Sequence, residues 1–290
     1  MAKIGFIGLG LMGAPMAHRL IDRGHELTVL SGRARDAVAA LEGRGAASAA
    51  TPKAVAEAAE IVMLCVDTSA SVESLMEGAD GVIAGLSSGD VVVDFGTSLP
   101  ASTRRLGALV AEKGAAMLDA PLGRTPAHAK DGLLNIMGAG DEDAFARARP
   151  VLEDLGENVF HLGPLGSGHT VKLMNNFFGM TTANAMAEAF AVADRAGVPR
   201  KLMHQVMAAG PLHSGMMDFV AAYGVDGDPS KLEFSIQNAC KDVGYYVQMT
   251  EDAGYDSLIA PGPLKGLKAA VEAGEGEKMV SQIVDFYAKR

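Results

Sequence analysis

Apolar residues in the first half of the chain come in short unbroken runs, and these alternate with stretches of helical period. Residues 3–7 (KIGFI), 26–30 (ELTVL), 61–66 (IVMLCV) and 91–94 (VVVD) predict strands. Between the first two, Met16, Leu20 and Ile21 recur at helical spacing until Gly24 stops them. Helical stretches over 54–59 and 71–76 separate the later runs. Strands without polar alternation, divided by helices, predict a parallel sheet covered on both faces. Residues 117–120, 133–137 and 159–161 extend it, with a helix over 141–155 between the last two. The expected fold class is α/β, with an N-terminal doubly wound sheet of six or more strands.

Beyond the turn formers at 163–168 (GPLGSG) only helical periodicity remains. One long helix is expected over 167–195, then others over 199–209, 214–222, 235–253, 260–273 and 277–288. The chain thus divides into a Rossmann domain at 1–164 and an all-helical domain at 165–290. It contains no internal repeat and no low-complexity linker.

The segment joining the first strand to its helix is GLGLMG, residues 8–13. In a strand–turn–helix frame each glycine plays a distinct part. Gly8 makes the tight turn, Gly10 lets a pyrophosphate approach the backbone, and Gly13 brings helix and strand together. Leu11 and Met12 lie at the start of the helix, whose free N–H groups and positive dipole end suit phosphate. Val66, ending the third apolar run, is assigned to the same cofactor site. At the end of the second strand an NAD enzyme usually carries an acid for the ribose hydroxyl. Here Ser31 occupies that place, and Arg33 and Arg35 follow. Without a carboxylate to repel a 2′-phosphate, and with arginines to attract it, NADP(H) is favoured over NAD(H).

Composition narrows the function. The 290 residues are 49% hydrophobic and carry a net charge of −10, which argues against a nucleic-acid partner. Cys65 and Cys240 are the only cysteines and suit a reducing compartment without disulfides. No secretory pattern opens the sequence, and no apolar run reaches the roughly 20 residues of a spanning helix. A soluble cytoplasmic protein with no membrane partner is expected. The histidines and cysteines are scattered, so no metal site is expected.

The residues with chemistry gather at the start of the long helix. Lys172, Asn175 and Asn176 fall at i, i+3 and i+4, on one face and within reach of a single ligand. His169 shares that face; a backbone hydrogen bond or solvent exposure is expected for it, with proton relay as the other reading.

With GFIGLGLMGAPMAHRL, DAPLGRT and GSGHTVKLMNN in view, the chain resembles the β-hydroxyacid dehydrogenase family over essentially its whole length. The resemblance implies reversible oxidation of a small 3-hydroxy acid to a semialdehyde, with Lys172 as catalytic residue and Asn176 as its partner. Asn175 becomes a further substrate contact. Thr97 in DFGTSLP matches a residue beside the nicotinamide, although Gly96 replaces the family's usual Ser. Lys241, followed by Asp242 as its orienting residue, matches a motif reaching both cofactor and substrate. The family's VSGG after DAP, which holds the substrate carboxylate, is here Leu122-Gly123-Arg124-Thr125. This GRT triplet resembles the corresponding loop of sulfolactaldehyde reductases, and an Arg offers a donor fork for carboxylate or sulfonate. His213 and Ser214 are further candidates for the pocket, and His128 is expected in a loop. The family resemblance also implies a homodimer or homotetramer.

Two other readings compete. One is a catalytically idle nucleotide-binding module, against which the presence of Lys172 with Asn176 argues. The other is an imine-reducing relative, a group that generally replaces this Lys. A decarboxylating 6-phosphogluconate dehydrogenase would need a larger helical domain than residues 167–290 provide.

Overall fold

The computed structural model describes every residue except Arg33, so the cofactor contact expected of that side chain lies outside the described residues. The chain forms two units, Met1–Lys172 and Leu173–Arg290.

The first unit opens with β1 (Lys3–Ile7), α1 (Gly13–Asp22), β2 (Glu26–Leu30), α2 (Arg35–Glu42), β3 (Ala47–Ala49), α3 (Pro52–Glu57), β4 (Ile61–Leu64), α4 (Ser69–Met76) and α5 (Val82–Gly85). It continues through β5 (Val91–Asp94), α6 (Pro100–Ala111), β6 (Ala116–Asp119), β7 (Leu122–Gly123), α7 (Pro126–Asp131), β8 (Leu134–Gly140), α8 (Glu142–Leu155) and β9 (Gly156–His161). The sheet order is β3-β2-β1-β4-β5-β6-β8-β7, with β9 also paired to β8. From β3 to β6 every pairing is parallel, the doubly wound order.

The unbroken apolar runs follow from cover on both faces. Ile4, Phe6, Ile61, Met63, Val91 and Val93 enter one core, and Ile7, Val62, Leu64 and Val92 enter the other. Adjacent residues point to opposite faces, so strands buried on both sides show no polar alternation. Gly5 brings α3 close to β1: a Cβ there would stand 2.7 Å from Val55 Cγ1.

The far edge corrects the expectation of a parallel extension. β8 runs antiparallel to β6 and to the two-residue β7, and only β9 is parallel to β8. Apolar content signals a buried strand but carries no direction. The short connection from β6 through β7 to β8 contains only α7, of six residues, and the chain turns back on itself there.

The helix α9 (Ser167–Arg195) begins in the first unit and continues into the second. The division falls at Lys172, inside this helix and beyond the turn expected to mark it. The physical reason is local: the Asp119 carboxylate at the end of β6 accepts the Gly166 and His169 amides at 2.7 Å each. The first turn of α9 is thereby tied to the sheet.

The second unit adds α10 (Arg200–Ala208), α11 (Gly215–Asp226), α12 (Ile236–Asp252), α13 (Pro261–Glu272) and α14 (Ile283–Ala288). Its core contains Phe190, Val220, Ile236, Val243, Leu267 and Ile283. The helix expected over 277–288 is instead a 3-10 turn, Val280–Gln282, followed by α14. Its start is extended because Met279 bridges to Ser235 and the Val280 amide donates to Phe234 O. No helix of the described residues is long and apolar enough to cross a membrane.

Candidate active site

At the end of β1 the chain turns through Gly8, whose φ is +102°. A Cβ on Gly8 would overlap the Cys65 carbonyl, and one on Gly13 would overlap the Gly8 carbonyl oxygen. Gly10 differs: its Cβ would meet nothing within 4 Å. Thus two glycines are required by the fold, and the third leaves exposed backbone open to a ligand. The first turn of α1 has no acidic residue and no side-chain cap, so none of its own side chains offsets its positive end. Leu11, in the turn, is 79% exposed, and Met12 is half-buried.

The remaining cofactor candidates divide. Val66, half-buried, lies beside the turn, with Cγ1 2.9 Å from the Cβ position of Gly8. Ser31 is exposed, but its hydroxyl donates to Ala49 O at 2.9 Å, joining the end of β2 to β3. Arg35 opens α2 and is exposed. Thr97 lies in a loop braced by Asp94, which accepts the Gly96 amide at 2.8 Å and the Ser98 hydroxyl at 3.0 Å. Gly96 is explained by that brace, since a Cβ would stand 2.9 Å from both Asp94 Oδ1 and Val66 O.

Around the first turn of α9 the structure shows a buried polar cluster that the sequence pattern does not announce. His169 does not face solvent, and its own backbone amide is one of the two that Asp119 accepts. It is fully buried, with Nδ1 2.8 Å from Thr103 Oγ1, Nε2 3.7 Å from Asp94 and Nδ1 3.8 Å from Asp119. Burial pushes the Asp119 carboxyl up, opposed by His169 and by the two amides it accepts. The available signal was an Asp ending each of two otherwise apolar runs, VVVD and AMLD.

Further along α9, Lys172 is half-buried, Asn175 is exposed and Asn176 is buried. Asn176 Nδ2 donates to Asp242 Oδ2 at 2.6 Å, and its Oδ1 accepts from Asn175 at 3.2 Å. Asp242, 1% exposed, pairs with Lys241 Nζ at 3.0 Å, and that ammonium also lies 5.4 Å from the Tyr245 ring centre. Phe177 and Tyr246 stack beside them, with ring centres 4.2 Å apart. A chain Asn175–Asn176–Asp242–Lys241 therefore joins α9 to α12, with hydrogen bonds along its first two links and an ion pair at the last.

In the substrate-loop candidate, Gly123 pairs with Asn135 across β7 and β8. Arg124 is the only non-glycine among the described residues with positive φ, at 78°. Thr125 precedes α7 without a side-chain cap bond to the backbone, its hydroxyl lying 2.7 Å from His128 Nδ1, and His128 belongs to that helix and not to a loop. His213 pairs with Asp218 at 2.9 Å, and Ser214 caps α11 by accepting the Met217 amide.

A sheet of this order, parallel from β3 to β6 and with its first turn bare only where a pyrophosphate would lie, defines a dinucleotide-binding domain. Two family models match the chain: the NAD-binding domain of 6-phosphogluconate dehydrogenase over residues 3–163, and the NAD-binding region of NADP-dependent 3-hydroxyisobutyrate dehydrogenase over residues 166–287. The chain belongs to the β-hydroxyacid dehydrogenase family, the NAD(P)-dependent enzymes that interconvert 3-hydroxy acids and semialdehydes. It is 33% identical to the 3-sulfolactaldehyde reductase of Escherichia coli, over 98% of this chain and 95% of that one. It is 37% identical to an NAD-dependent L-serine dehydrogenase of Pseudomonas aeruginosa, over 71% and 69% of the two chains. The solved 3-hydroxyisobutyrate dehydrogenase of Mycobacterium tuberculosis with L-serine superposes with a TM-score of 0.88 at 25% identity, covering 99% of each chain.

Proposed function

We propose that this protein reduces a short anionic semialdehyde to its 3-hydroxy acid, with NADP(H) preferred, Lys172 as proton donor and Arg124 as reader of the anion. The observation that carries the reading is the anchored helix face: Asn176 is held at 2.6 Å by buried Asp242, and Lys172 stands one turn earlier on α9. Bound reduced nicotinamide would supply the hydride. The ammonium of Lys172 polarises the carbonyl and gives its proton to the carbonyl oxygen, leaving a neutral amine that takes the proton back in the oxidising direction. Asn176 and Asn175 orient the substrate beside it, and Lys241, fixed by Asp242, adds positive charge. Gly123 and Thr125 frame Arg124. Gly8, Gly10, Leu11, Met12, Gly13, Val66 and Thr97 are the residues that would hold the dinucleotide.

Ser31 in place of an acid at the end of β2, with Arg35 exposed at the start of α2, supports the preference for NADP(H). The GRT loop and the full-length likeness to the sulfolactaldehyde reductase support a three-carbon sulfonate aldehyde as the first substrate to try. The net charge of −10 supports a small-molecule partner over nucleic acid, and the cysteine usage a cytoplasmic location. Exposed Val192, Leu202 and Val206 support a homodimer or homotetramer.

The test follows nicotinamide absorbance with NADPH and with NADH over sulfolactaldehyde, malonic semialdehyde and propanal, and runs L-serine in the oxidising direction. The expected result is turnover of the anionic aldehydes with NADPH, reduced on the order of 10²–10⁴-fold in Lys172→Ala. Absence of turnover across the panel by protein that binds NADPH would overturn the reading.

A further inference from the structure

Arg124 and Glu157 meet where two separate backbone irregularities coincide. Arg124 leaves β7 at φ 78°, a left-handed conformation that costs a side-chain-bearing residue about 1 kcal/mol or more. Opposite it, the register of β8 and β9 jumps: Leu134 pairs with Gly156 and Asn135 with Asn158. Glu157 is the extra residue of that bulge, and a bulge re-aims the side chain it carries. The two meet with Arg124 Nη1 2.5 Å from Glu157 Oε2, while the same nitrogen donates to Leu133 O at 2.6 Å. The side chains are 30% and 52% exposed, so the pair is open to water and to small anions.

Resting on the assignment of Arg124 as the anion reader, we propose that Glu157 is a specificity-determining residue. It acts as a tethered carboxylate that competes with the substrate anion for the Arg124 guanidinium. Glu157 takes one nitrogen through one oxygen. A sulfonate or carboxylate can accept from two guanidinium nitrogens at once, the stronger arrangement, and so displaces it. An anion that makes only a single contact gains little over the carboxylate already in place, which is always present at the high effective concentration of a group in the same fold. The backbone anchor at Leu133 O is neutral and need not be given up. An exposed ion pair contributes about 0–1 kcal/mol, so the competition raises the apparent KM of anionic substrates by up to about fivefold.

The experiment compares wild type, Glu157→Gln, Arg124→Ala and the double variant, with malonic semialdehyde and sulfolactaldehyde as anionic probes and propanal as the uncharged one. Inorganic sulfate serves as an inhibitor in parallel. In Glu157→Gln the KM for both anionic aldehydes and the inhibition constant of sulfate fall about threefold, kcat moves less than KM, and propanal is unaffected. In the Arg124→Ala background the same change does nothing. Glu157→Ala repeats the result, and NADPH titration shows that each variant is folded. If Arg124→Ala raises the anionic KM but Glu157→Gln leaves it unchanged or raises it, the competition is refuted while the anion reader stands. If Arg124→Ala leaves the anionic KM unchanged, the reading of Arg124 falls and the inference falls with it.

Discussion

Alanine placed singly at Gly10 and at Gly13 separates binding from folding within one turn. A Cβ at Gly13 would overlap the Gly8 carbonyl oxygen and stand 3.1 Å from Phe6 Cε1. Neither neighbour is a flexible side-chain end: one is backbone and the other a fully buried ring. Relief requires α1 to move off β1, and overpacking of this kind costs about 3 kcal/mol or more. At Gly10 the added methyl meets nothing within 4 Å and φ is not positive, so stability should change by less than about 0.5 kcal/mol. The methyl would occupy the space that a pyrophosphate needs, and at least tenfold weaker NADPH binding is expected. NADPH at 100 times its Kd stabilises a protein by about 2.7 kcal/mol, and a tenfold weaker Kd removes about 1.4 of that. The assay is urea unfolding with and without NADPH, with direct titration by NADPH fluorescence, which no Trp disturbs because the chain has none. Gly10→Ala should match wild type without cofactor and fall behind it with cofactor, whereas Gly13→Ala should be weak in both. Undiminished NADPH binding by Gly10→Ala would refute the idea that bare backbone makes the site.

Two further outcomes follow from titratable groups away from the turn. Burial pushes the Asp154 carboxyl up, but hydrogen bonds from His25 Nε2 at 2.9 Å and Arg23 Nε at 2.6 Å outweigh it and hold it low. Its stabilisation is present above the ordinary carboxylate range and is lost as pH falls through the depressed folded value. Asp154→Asn should therefore cost about 1–2 kcal/mol at pH 7 and nothing in strong acid, read from urea unfolding against pH; a constant deficit would contradict this. The Cys65 thiol is pushed up to about 12 by burial, with Asp94 and Asp67 adding to it, and burial also raises Cys240. Native protein at pH 8 should react slowly with iodoacetamide at Cys65 and faster in denaturant; fast native labelling at Cys65, located by mass spectrometry, would contradict the raised thiol.

The sequence by itself determined the features that depend on local spacing. Apolar runs without alternation identified β1, β4 and β5 as strands buried on both faces. The glycines at 8 and 13 announced a tight turn and a close approach of helix to strand, and the i, i+3, i+4 spacing put Lys172, Asn175 and Asn176 on one helical face. The tertiary structure alone decided what depends on partners remote in the chain. The direction of β8 is not encoded in its composition. The burial of His169 against Thr103, Asp94 and Asp119 needs β5, β6 and α6 brought together, and no period in the sequence reports that. Asn176 and Asp242 are 66 positions apart, and Arg124 and Glu157 are 33 apart. Periodicity records how each segment meets water and core; strand direction, register and bulges set which distant charges meet, and these are properties of the assembled sheet.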